Sequence, residues 1–282
     1  MSSPIERKQF KFKGSKEKLI TGDLTYAKYA GEVPIVIFAH GFKGFKDWGA
    51  WPLAAEIFAV KGLPFFKFNF SHNGTTPENL TDFKDLEAFG NNNFKIELDD
   101  LGLVIDFIEK KSSSFDFSWN GEIFLIGHSR GGAIALLRAA TDKRITKCAT
   151  WASVSDLERY LELKEVNSWR KDGVHHIPNA RTNVDMPIYF QFVDAYAQNA
   201  KELHLGSGLE NIDCPLLIIH GESDTVVPLT DAHTIYSEVH HSILVEIEKA
   251  DHTFNTKHPL TERKIPKAFA EVLTETIEFF QM

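Results

Sequence analysis

The chain has 282 residues, of which 43% are hydrophobic and 25% charged, and its formal net charge is −8. This length allows one large domain with a full core, and the acidic balance excludes a general attraction to nucleic acid or anionic lipid. The first residues, MSSPIERKQF, contain no apolar signal region, and no apolar run approaches the length of a membrane span. The sequence therefore predicts a cytoplasmic protein with no nucleic-acid or membrane partner.

Strands and helices are predicted in alternation along most of the chain. Phe10 and Phe12 alternate with lysines, which predicts an edge strand with one solvated face. Short apolar runs predict seven further strands, at Leu19–Ala27, Ile35–His40, Phe65–Phe70, Ile123–Ile126, Cys148–Ala152, Leu216–His220 and Ile243–Ile247. Helical spacing of apolar residues predicts helices at Trp51–Val60, Phe94–Ile108, Ala133–Ala140, Thr230–Val239 and Ile265–Phe280. This alternation favours a doubly wound α/β fold with a mostly parallel, eight-stranded sheet.

One segment, residues 155–211, interrupts the alternation. It is rich in charged, aromatic and histidine residues and shows no convincing strand. More than fifty residues are too many for an ordinary connection, so we expect a helical lid inserted in the fold and covering a binding site. The core would then consist of residues 1–154 and 212–282.

The motif GHSRGG, residues 127–132, lies between a predicted strand and a predicted helix. Glycine in regular structure is unfavourable by roughly 0.5–1 kcal/mol relative to alanine, so three in six residues need a reason. Gly127 and Gly131 frame Ser129 as G-x-S-x-G, the pattern of a tight strand-to-helix turn that exposes a nucleophilic serine. The alternative is a small-residue turn that matches the motif by chance.

A serine nucleophile needs a base and a group that holds the base. Asp224 follows the strand Leu216–His220, and His252 follows the strand Ile243–Ile247, so both would reach the same sheet edge as Ser129. Glu222 and Asp251 are rival acids, but Glu222 lies close to its strand end and Asp251 adjoins the histidine. Taken singly, Asp224 could be a turn residue and His252 a surface histidine.

An oxyanion hole supplies backbone N–H donors for the charge that develops on the substrate oxygen. One donor would be Arg130, which follows the nucleophile at the start of its helix. The second would be Phe42, in the loop HGFKGFKDWG, where Gly41 and Gly44 let the backbone approach a ligand. The alternative for this loop is a simple glycine-rich turn.

Together these residues resemble the α/β-hydrolase superfamily, from about Leu19 to the carboxyl terminus. The serine elbow, the HG loop, SDTVVP and ADHTF occur in the family's order. Within the superfamily the chain is most similar to compact cinnamoyl and feruloyl esterases, which are also described as dienelactone-hydrolase-like. The resemblance implies that Ser129 attacks, His252 transfers the proton and Asp224 orients His252, with the Phe42 and Arg130 amides as the oxyanion hole.

The chain departs from that pattern in two places. Dienelactone hydrolases proper use a cysteine nucleophile, and this chain has a serine. Such esterases tend to carry a GHG turn after the strand Phe65–Phe70, where this chain reads SHNG.

Candidate substrate contacts come from the lid and from the loops around Ser129. Trp169, Tyr189 and Phe192 could stack on an acyl group, or could only pack the lid onto the core. Lys43 and the Arg130 side chain could attract a substrate carboxylate, or could be solvated charges at the rim. The pair His175-His176 has no ligand spacing, and we expect a solvated loop there, with no metal and no cofactor.

Three hypotheses follow from these residues. The first is a serine hydrolase of carboxylic esters that works through an acyl-enzyme on a small-molecule ester or acyl substrate. The second is a peptidase or thioesterase with the same triad. A peptidase would need acidic groups for the substrate's amino terminus, and the lid offers Glu158, Glu162, Glu165, Asp185 and Asp194. The third is a binding protein without activity, since fold alone never fixes function.

The sequence leaves the oligomeric state open, a homodimer included. Cys148 and Cys214 are expected to be small buried residues.

Overall fold

The computed structural model describes residues 4–28, 31–161, 166–179 and 183–282. Its strands in chain order are β1 (Ile5–Lys13), β2 (Leu19–Ala27), β3 (Glu32–Ala39), β4 (Phe65–Asn69), β5 (Ser118–His128), β6 (Ile145–Trp151), β7 (Val174–Asn179), β8 (Val184–Tyr189), β9 (Leu216–Gly221) and β10 (Ser242–Ile247). Its α-helices are α1 (Trp51–Val60), α2 (Leu86–Gly90), α3 (Phe94–Lys111), α4 (Arg130–Thr141), α5 (Val166–Asp172), α6 (Gln191–Gln198), α7 (Ala200–Leu203), α8 (Leu205–Leu209), α9 (Thr230–Glu238) and α10 (Lys267–Gln281). Every strand and helix predicted from the sequence overlaps one of these elements.

Eight strands form one sheet in the order β1-β2-β4-β3-β5-β6-β9-β10. Within this sheet, β4, β3, β5, β6, β9 and β10 pair in parallel. Strand β2 is antiparallel to both of its neighbours, β1 and β4. The predicted α/β fold and its mostly parallel sheet are therefore confirmed, with β1 as the predicted edge strand. Because β3, β5, β6, β9 and β10 run parallel, their carboxyl ends meet at one edge, which is where ligands bind in open sheets of this kind.

Helices cover both faces of the sheet. Helices α3, α4 and α9 form one apolar layer with strand residues such as Ile37 and Leu125, and α1 and α10 form the other with Phe38 and Ile126. Successive side chains of a strand point to opposite faces, so each central strand contributes to both layers. This explains why its sequence is continuously apolar and not alternating.

The segment predicted as a helical lid, residues 155–211, contains a β-hairpin as well as helices. Strands β7 and β8 pair antiparallel, with Val174 opposite Tyr189, so the expectation that no strand lies here is wrong. Pro178 and Pro187 hide the hairpin in the sequence, since a proline removes a ladder donor and argues against a strand. A two-stranded hairpin tolerates proline because each strand has one edge without a partner strand. Its role as a lid stays a prediction.

Candidate active site

Ser129 stands at the turn between β5 and α4. It is the single residue between His128, which ends the strand, and Arg130, which begins the helix. Its dihedral angles are φ 56° and ψ −125°, a conformation that residues with a side chain rarely adopt. The Ser129 N–H donates a hydrogen bond of 2.9 Å to the Trp151 carbonyl. This is the geometry of a nucleophile elbow, in which a strained turn presents the serine hydroxyl at the edge of the sheet.

The glycines on either side of Ser129 lie where a side chain has no room. A Cβ atom on Gly127 would lie 2.3 Å from the Gly131 carbonyl oxygen, and one on Gly131 would lie 2.5 Å from the carbonyl oxygens of Ala39 and His40. These neighbours are backbone atoms, which cannot rotate aside as the end of a flexible side chain can. The close contact of β3, β5 and α4 therefore requires both glycines.

His252 lies between Ser129 and Asp224. Its Nε2 is 2.9 Å from Ser129 Oγ, and its Nδ1 is 2.7 Å from Asp224 Oδ2. When Nδ1–H donates to the carboxylate, Nε2 is left as an acceptor for the serine proton, as a general base requires. The three residues follow β5, β9 and β10 and meet at the carboxyl edge of the sheet.

The two rival acids do not contact His252 in this arrangement. Glu222 is exposed. Asp251 Oδ1 accepts hydrogen bonds from the backbone N–H groups of Thr253 and Asn255, at 2.9 and 2.7 Å. Asp251 therefore shapes the turn that carries the histidine.

The Asp224 carboxylate is fully buried and has several donors. Its Oδ1 accepts from the N–H groups of Val226 and Val227 at 2.8 and 2.9 Å, and His220 Nε2 lies 3.3 Å from Oδ2. Burial acts to raise the pKa of this carboxyl. The hydrogen bonds from His220 and His252, the His252 charge and the Val227 N–H outweigh that effect, so the pKa of Asp224 lies well below its usual range. The carboxylate is ionised and fixed in place at neutral pH.

The loop after β3, residues 40–50, passes beside Ser129. A Cβ atom on Gly41 would lie 2.9 Å from Ser129 Cβ, so the loop backbone and Ser129 are in close contact. The Phe42 N–H follows this contact, and the Arg130 N–H lies in the first turn of α4, where helix N–H groups lack partners within the helix. Within the described residues, neither N–H donates a hydrogen bond. These are the two groups that the sequence predicts as oxyanion donors.

A cluster of four charges anchors this loop to the sheet. Lys46 and Asp47 of the loop meet Asp23 of β2 and Lys67 of β4, and each lysine contacts both carboxylates over 2.5 to 2.7 Å. We call these four residues the buried charge cluster. Burial acts to raise the pKa of Asp47, but the charges of Lys67 and Lys46 outweigh it and lower that pKa; burial also lowers the pKa of Lys67.

The Arg130 side chain is buried beneath the site. It is 3% exposed and forms an ion pair with Glu97 of α3. Its guanidinium carbon lies 4.1 Å from the centroid of the Phe42 ring and 5.6 Å from that of Phe94. Neither sequence interpretation of this side chain, a contact for a substrate carboxylate or a solvated rim charge, describes what the structure shows.

A cavity of about 140 Å³ opens at Ser129 and His252. It is lined by His40, Gly41, Phe42, Lys43, Gly44, Trp48, Trp51, His128, Ser129, His252 and Thr253. Lys43 is the exposed member of this lining, and its Nζ lies 3.5 Å from the Pro178 carbonyl oxygen of β7. Sites for drug-sized ligands usually measure roughly 300–1,000 Å³, so this cavity has room for a small group beside the serine.

The three aromatic residues predicted as substrate contacts do not line this cavity. Trp169 is 2% exposed and donates its Nε1–H to the Ile188 carbonyl at 2.9 Å. Phe192 is 4% exposed, and the Tyr189 hydroxyl donates to Glu87 at 2.6 Å. These contacts agree with the alternative interpretation, in which the aromatics pack residues 155–211 onto the core.

The acidic residues considered for a peptidase are also away from the cavity lining. This holds for Glu158, Asp185 and Asp194, and Glu158 accepts a hydrogen bond from the Tyr196 hydroxyl at 2.9 Å. Glu162 and Glu165 lie outside the described residues.

Sequence reasoning misses three buried histidines at this edge of the sheet. His40 follows β3, His128 ends β5, and His220 lies near the end of β9. His40 Nδ1 donates to the Gly41 carbonyl at 2.8 Å, and His128 Nε2 donates to the His252 carbonyl at 3.0 Å. Burial lowers the pKa of His40 to about 4 and that of His128 to about 3, so both rings are neutral at pH 7. A shared signal could have identified them, because each histidine stands at the end of an apolar run and precedes glycine or serine.

Other predictions concern metal ligands, cysteines and membrane spans. Among the residues that the structure describes, no cluster of histidine, cysteine or carboxylate side chains could hold a metal ion. His175 and His176 lie on β7 and not in the expected loop. Cys148 is buried as expected, and Cys214 is half-buried. In the same described ranges, no helix has both the length and the apolar character needed to cross a membrane.

Comparisons with known proteins give a family and a fold. A family model described as BD-FAE matches residues 85–239, more than half of the chain and a range that contains Ser129 and Asp224. The acetyl esterase Axe7A of Xylanibacter ruminicola is 27% identical over 245 residues, which cover 80% of this chain and 51% of that protein. A Mycoplasma genitalium protein named "Putative esterase/lipase 2" is 33% identical over 214 residues, covering 69% of this chain and 72% of its own length. The chain thus spans about half the length of the first relative and nearly three quarters of the second.

Solved structures agree with the fold. Est1E from Butyrivibrio proteoclasticus, in a structure with ferulic acid bound, matches with a TM-score of 0.66 and 18% identity. The match covers 94% of this chain and 95% of Est1E. At this identity the likeness concerns the fold alone.

Proposed function

The chain belongs to the BD-FAE family of α/β-hydrolase esterases, and we propose that it is a serine hydrolase that cleaves carboxylic esters through an acyl-enzyme on Ser129. The observation that carries the proposal is the hydrogen-bonded line from Ser129 Oγ through His252 to Asp224, with distances of 2.9 and 2.7 Å. Its serine end opens into the cavity, and its aspartate end is buried.

The geometry supports the following sequence of steps. Ser129 Oγ attacks the ester carbonyl while His252 Nε2 takes the hydroxyl proton, and Asp224 stabilises the imidazolium that forms. The oxygen of the tetrahedral intermediate accepts hydrogen bonds from the Phe42 and Arg130 N–H groups. The alcohol leaves with the proton from His252, and the acyl group remains on Ser129. A water molecule then loses a proton to His252 and attacks the acyl carbonyl; the bond from the acyl carbon to Ser129 Oγ breaks, His252 returns the proton to Ser129, and the carboxylic acid leaves.

We propose short acyl groups as the preferred substrates. The cavity of about 140 Å³ has walls of buried side chains such as Trp51 and His128, and close-packed side chains do not yield without strain. An acetyl or propionyl group fits within such a space, whereas a longer acyl chain extends beyond it or displaces its walls. The relative named as an acetyl esterase agrees with this preference.

A series of p-nitrophenyl esters from acetate to octanoate, together with methyl ferulate, tests both parts of the proposal. We expect kcat/KM to be highest for acetate and at least about tenfold lower for octanoate. Ser129→Ala should lose several orders of magnitude of kcat without loss of folding. Ser237→Ala, a change at an exposed helix position in α9, is the matched control and should keep wild-type turnover. No turnover of any ester by folded wild-type protein contradicts the proposal, and a preference for octanoate contradicts the short-acyl assignment.

A further inference from the structure

The two proposed oxyanion donors, Phe42 and Arg130, are in direct contact through their side chains. The Arg130 guanidinium lies over the Phe42 ring at 4.1 Å, and the ring stacks on Phe89 with 5.5 Å between centroids. These residues belong to different elements, since Phe42 lies in the loop after β3 and Arg130 begins α4. The contact therefore joins the two elements that would form the proposed hole.

The Arg130 guanidinium is buried from solvent and is contacted on several sides. Its side chain is 3% exposed, and that of its partner Glu97 is 5% exposed. Glu97 Oε1 also accepts a hydrogen bond from Asn92 at 2.8 Å, and Phe94 lies 5.6 Å from the guanidinium on a further side. Cation–π contacts and ion pairs are stronger when water is excluded. The guanidinium is thus a fixed point against which the Phe42 ring rests.

The loop around Phe42 is a short turn, closed by a hydrogen bond of 3.0 Å from the Gly44 N–H to the Gly41 carbonyl. Gly41 and Gly44 flank Phe42, and Lys43 adopts a positive φ of 53°. The buried charge cluster secures the loop at Lys46, four residues beyond Phe42. At Phe42 itself, the ring contacts Arg130 and Phe89, and these contacts connect the loop to α4 and α2.

We propose that the Arg130 side chain is a positioning residue for the oxyanion hole, because it fixes the Phe42 loop relative to the first turn of α4. The inference rests on the proposed function and deepens it, since it gives the side chain of the residue after the nucleophile a role separate from its backbone N–H. Arginine suits this role because a flat guanidinium stacks on a ring while its edge binds a carboxylate. A lysine can keep the charge but not the stack.

A double-mutant cycle with Arg130→Lys and Phe42→Leu tests the proposal on p-nitrophenyl acetate. Each substitution keeps both backbone N–H groups and removes the stacked contact. A small misplacement of catalytic groups lowers rates by up to about 100-fold, so we expect each single variant to lose about tenfold or more in kcat. The double variant should be no slower than the slower single variant, because both changes remove the same contact.

Two further measurements separate positioning from a general loss of structure. Binding of a trifluoromethyl ketone, which forms an oxyanion on Ser129, should weaken in proportion to kcat/KM. The midpoint of the pH profile of kcat/KM should not move, because the variants leave His252 and Asp224 unchanged. Glu97→Gln loosens Arg130 without altering either residue of the hole, and it should also lower kcat. This variant replaces Arg130→Lys in the test if Arg130→Lys does not fold.

The possible results divide clearly. Folded Arg130→Lys with kcat within twofold of wild type overturns the inference, and so do losses that multiply in the double variant. Absence of ester turnover in the wild-type protein overturns the proposed function, and this inference with it. Normal turnover by both wild type and Arg130→Lys overturns this inference alone.

Discussion

Replacing Lys67 by methionine tests the buried charge cluster that anchors the loop after β3. Lys67 is fully buried, with its Nζ 2.7 Å from Asp23 Oδ1 and 2.5 Å from Asp47 Oδ1. Methionine keeps most of the side-chain volume and removes the charge. Lys46 is then the one cation of the cluster facing two carboxylates, of which Asp23 is 1% exposed.

The expected loss follows from this burial. Removing one partner of a buried ion pair costs about 3–5 kcal/mol, because the remaining charge is desolvated without compensation. The unfolding entropy of a 282-residue chain is about 0.6 kcal/mol/K, from about 2.1 cal/mol/K per residue, so Tm should fall by about 5–8 °C. The double variant Asp23→Asn/Lys67→Met removes the unpaired charge as well, and should recover at least about half of that loss.

Thermal unfolding followed by circular dichroism at several pH values is the assay. In the wild type the pKa of Asp47 lies below its ordinary value, so the stability it contributes is present above about pH 4 and is lost as pH falls through the folded-state pKa. The gap in Tm between Lys67→Met and wild type should therefore narrow below about pH 4. A fall in Tm of less than 2 °C at pH 7, or strictly additive losses in the double variant, would refute the reasoning.

Three further predictions concern the site itself. Asp224→Asn should lower kcat by roughly 10³–10⁴-fold, because an amide holds the histidine in the wrong tautomer; steady-state kinetics on p-nitrophenyl acetate measure this, and a loss below tenfold contradicts the role. The folded-state pKa of His128, about 3, lies below the unfolded value of about 6.5, so its contribution to stability is present above pH 6.5 and declines as pH falls. Between pH 6.5 and 4, the Tm of His128→Gln should consequently fall less than the Tm of wild type. An equal fall in both proteins would contradict this contribution of His128. Gly131→Ala places a Cβ 2.5 Å from two backbone oxygens and should lower both Tm and kcat, whereas Gly102→Ala meets only the flexible end of Arg138 at 3.0 Å and should keep both.

Much of the fold could be predicted because the central strands carry a strong local signal. A strand covered on both faces is apolar throughout, and helix α1 and strand β2 coincide with their predicted bounds. The predicted strands also placed Ser129, Asp224 and His252 each past the end of a separate strand. The structure brings these three side chains within hydrogen-bond distance.

The remaining features depend on contacts between distant segments, which local patterns do not record. The sequence suggests that Arg130 faces a substrate or solvent, since arginine is rarely buried alone. Glu97, 33 residues earlier, makes burial possible by pairing with it. The sequence allows the aromatics of residues 155–211 to be either substrate contacts or packing, with packing favoured for most of them, because a ring suits both environments. Only the shape of the assembled fold distinguishes the two.

Labelling with a fluorophosphonate, followed by intact-protein mass spectrometry and peptide mapping, tests the central claim most directly. A serine activated by His252 and Asp224 should form one adduct, located on the peptide that contains Ser129. Ser129→Ala should acquire no adduct under the same conditions, and His252→Ala should react much more slowly. Equal labelling of wild type and Ser129→Ala, or an adduct on another serine, would contradict the assignment of Ser129 as the nucleophile.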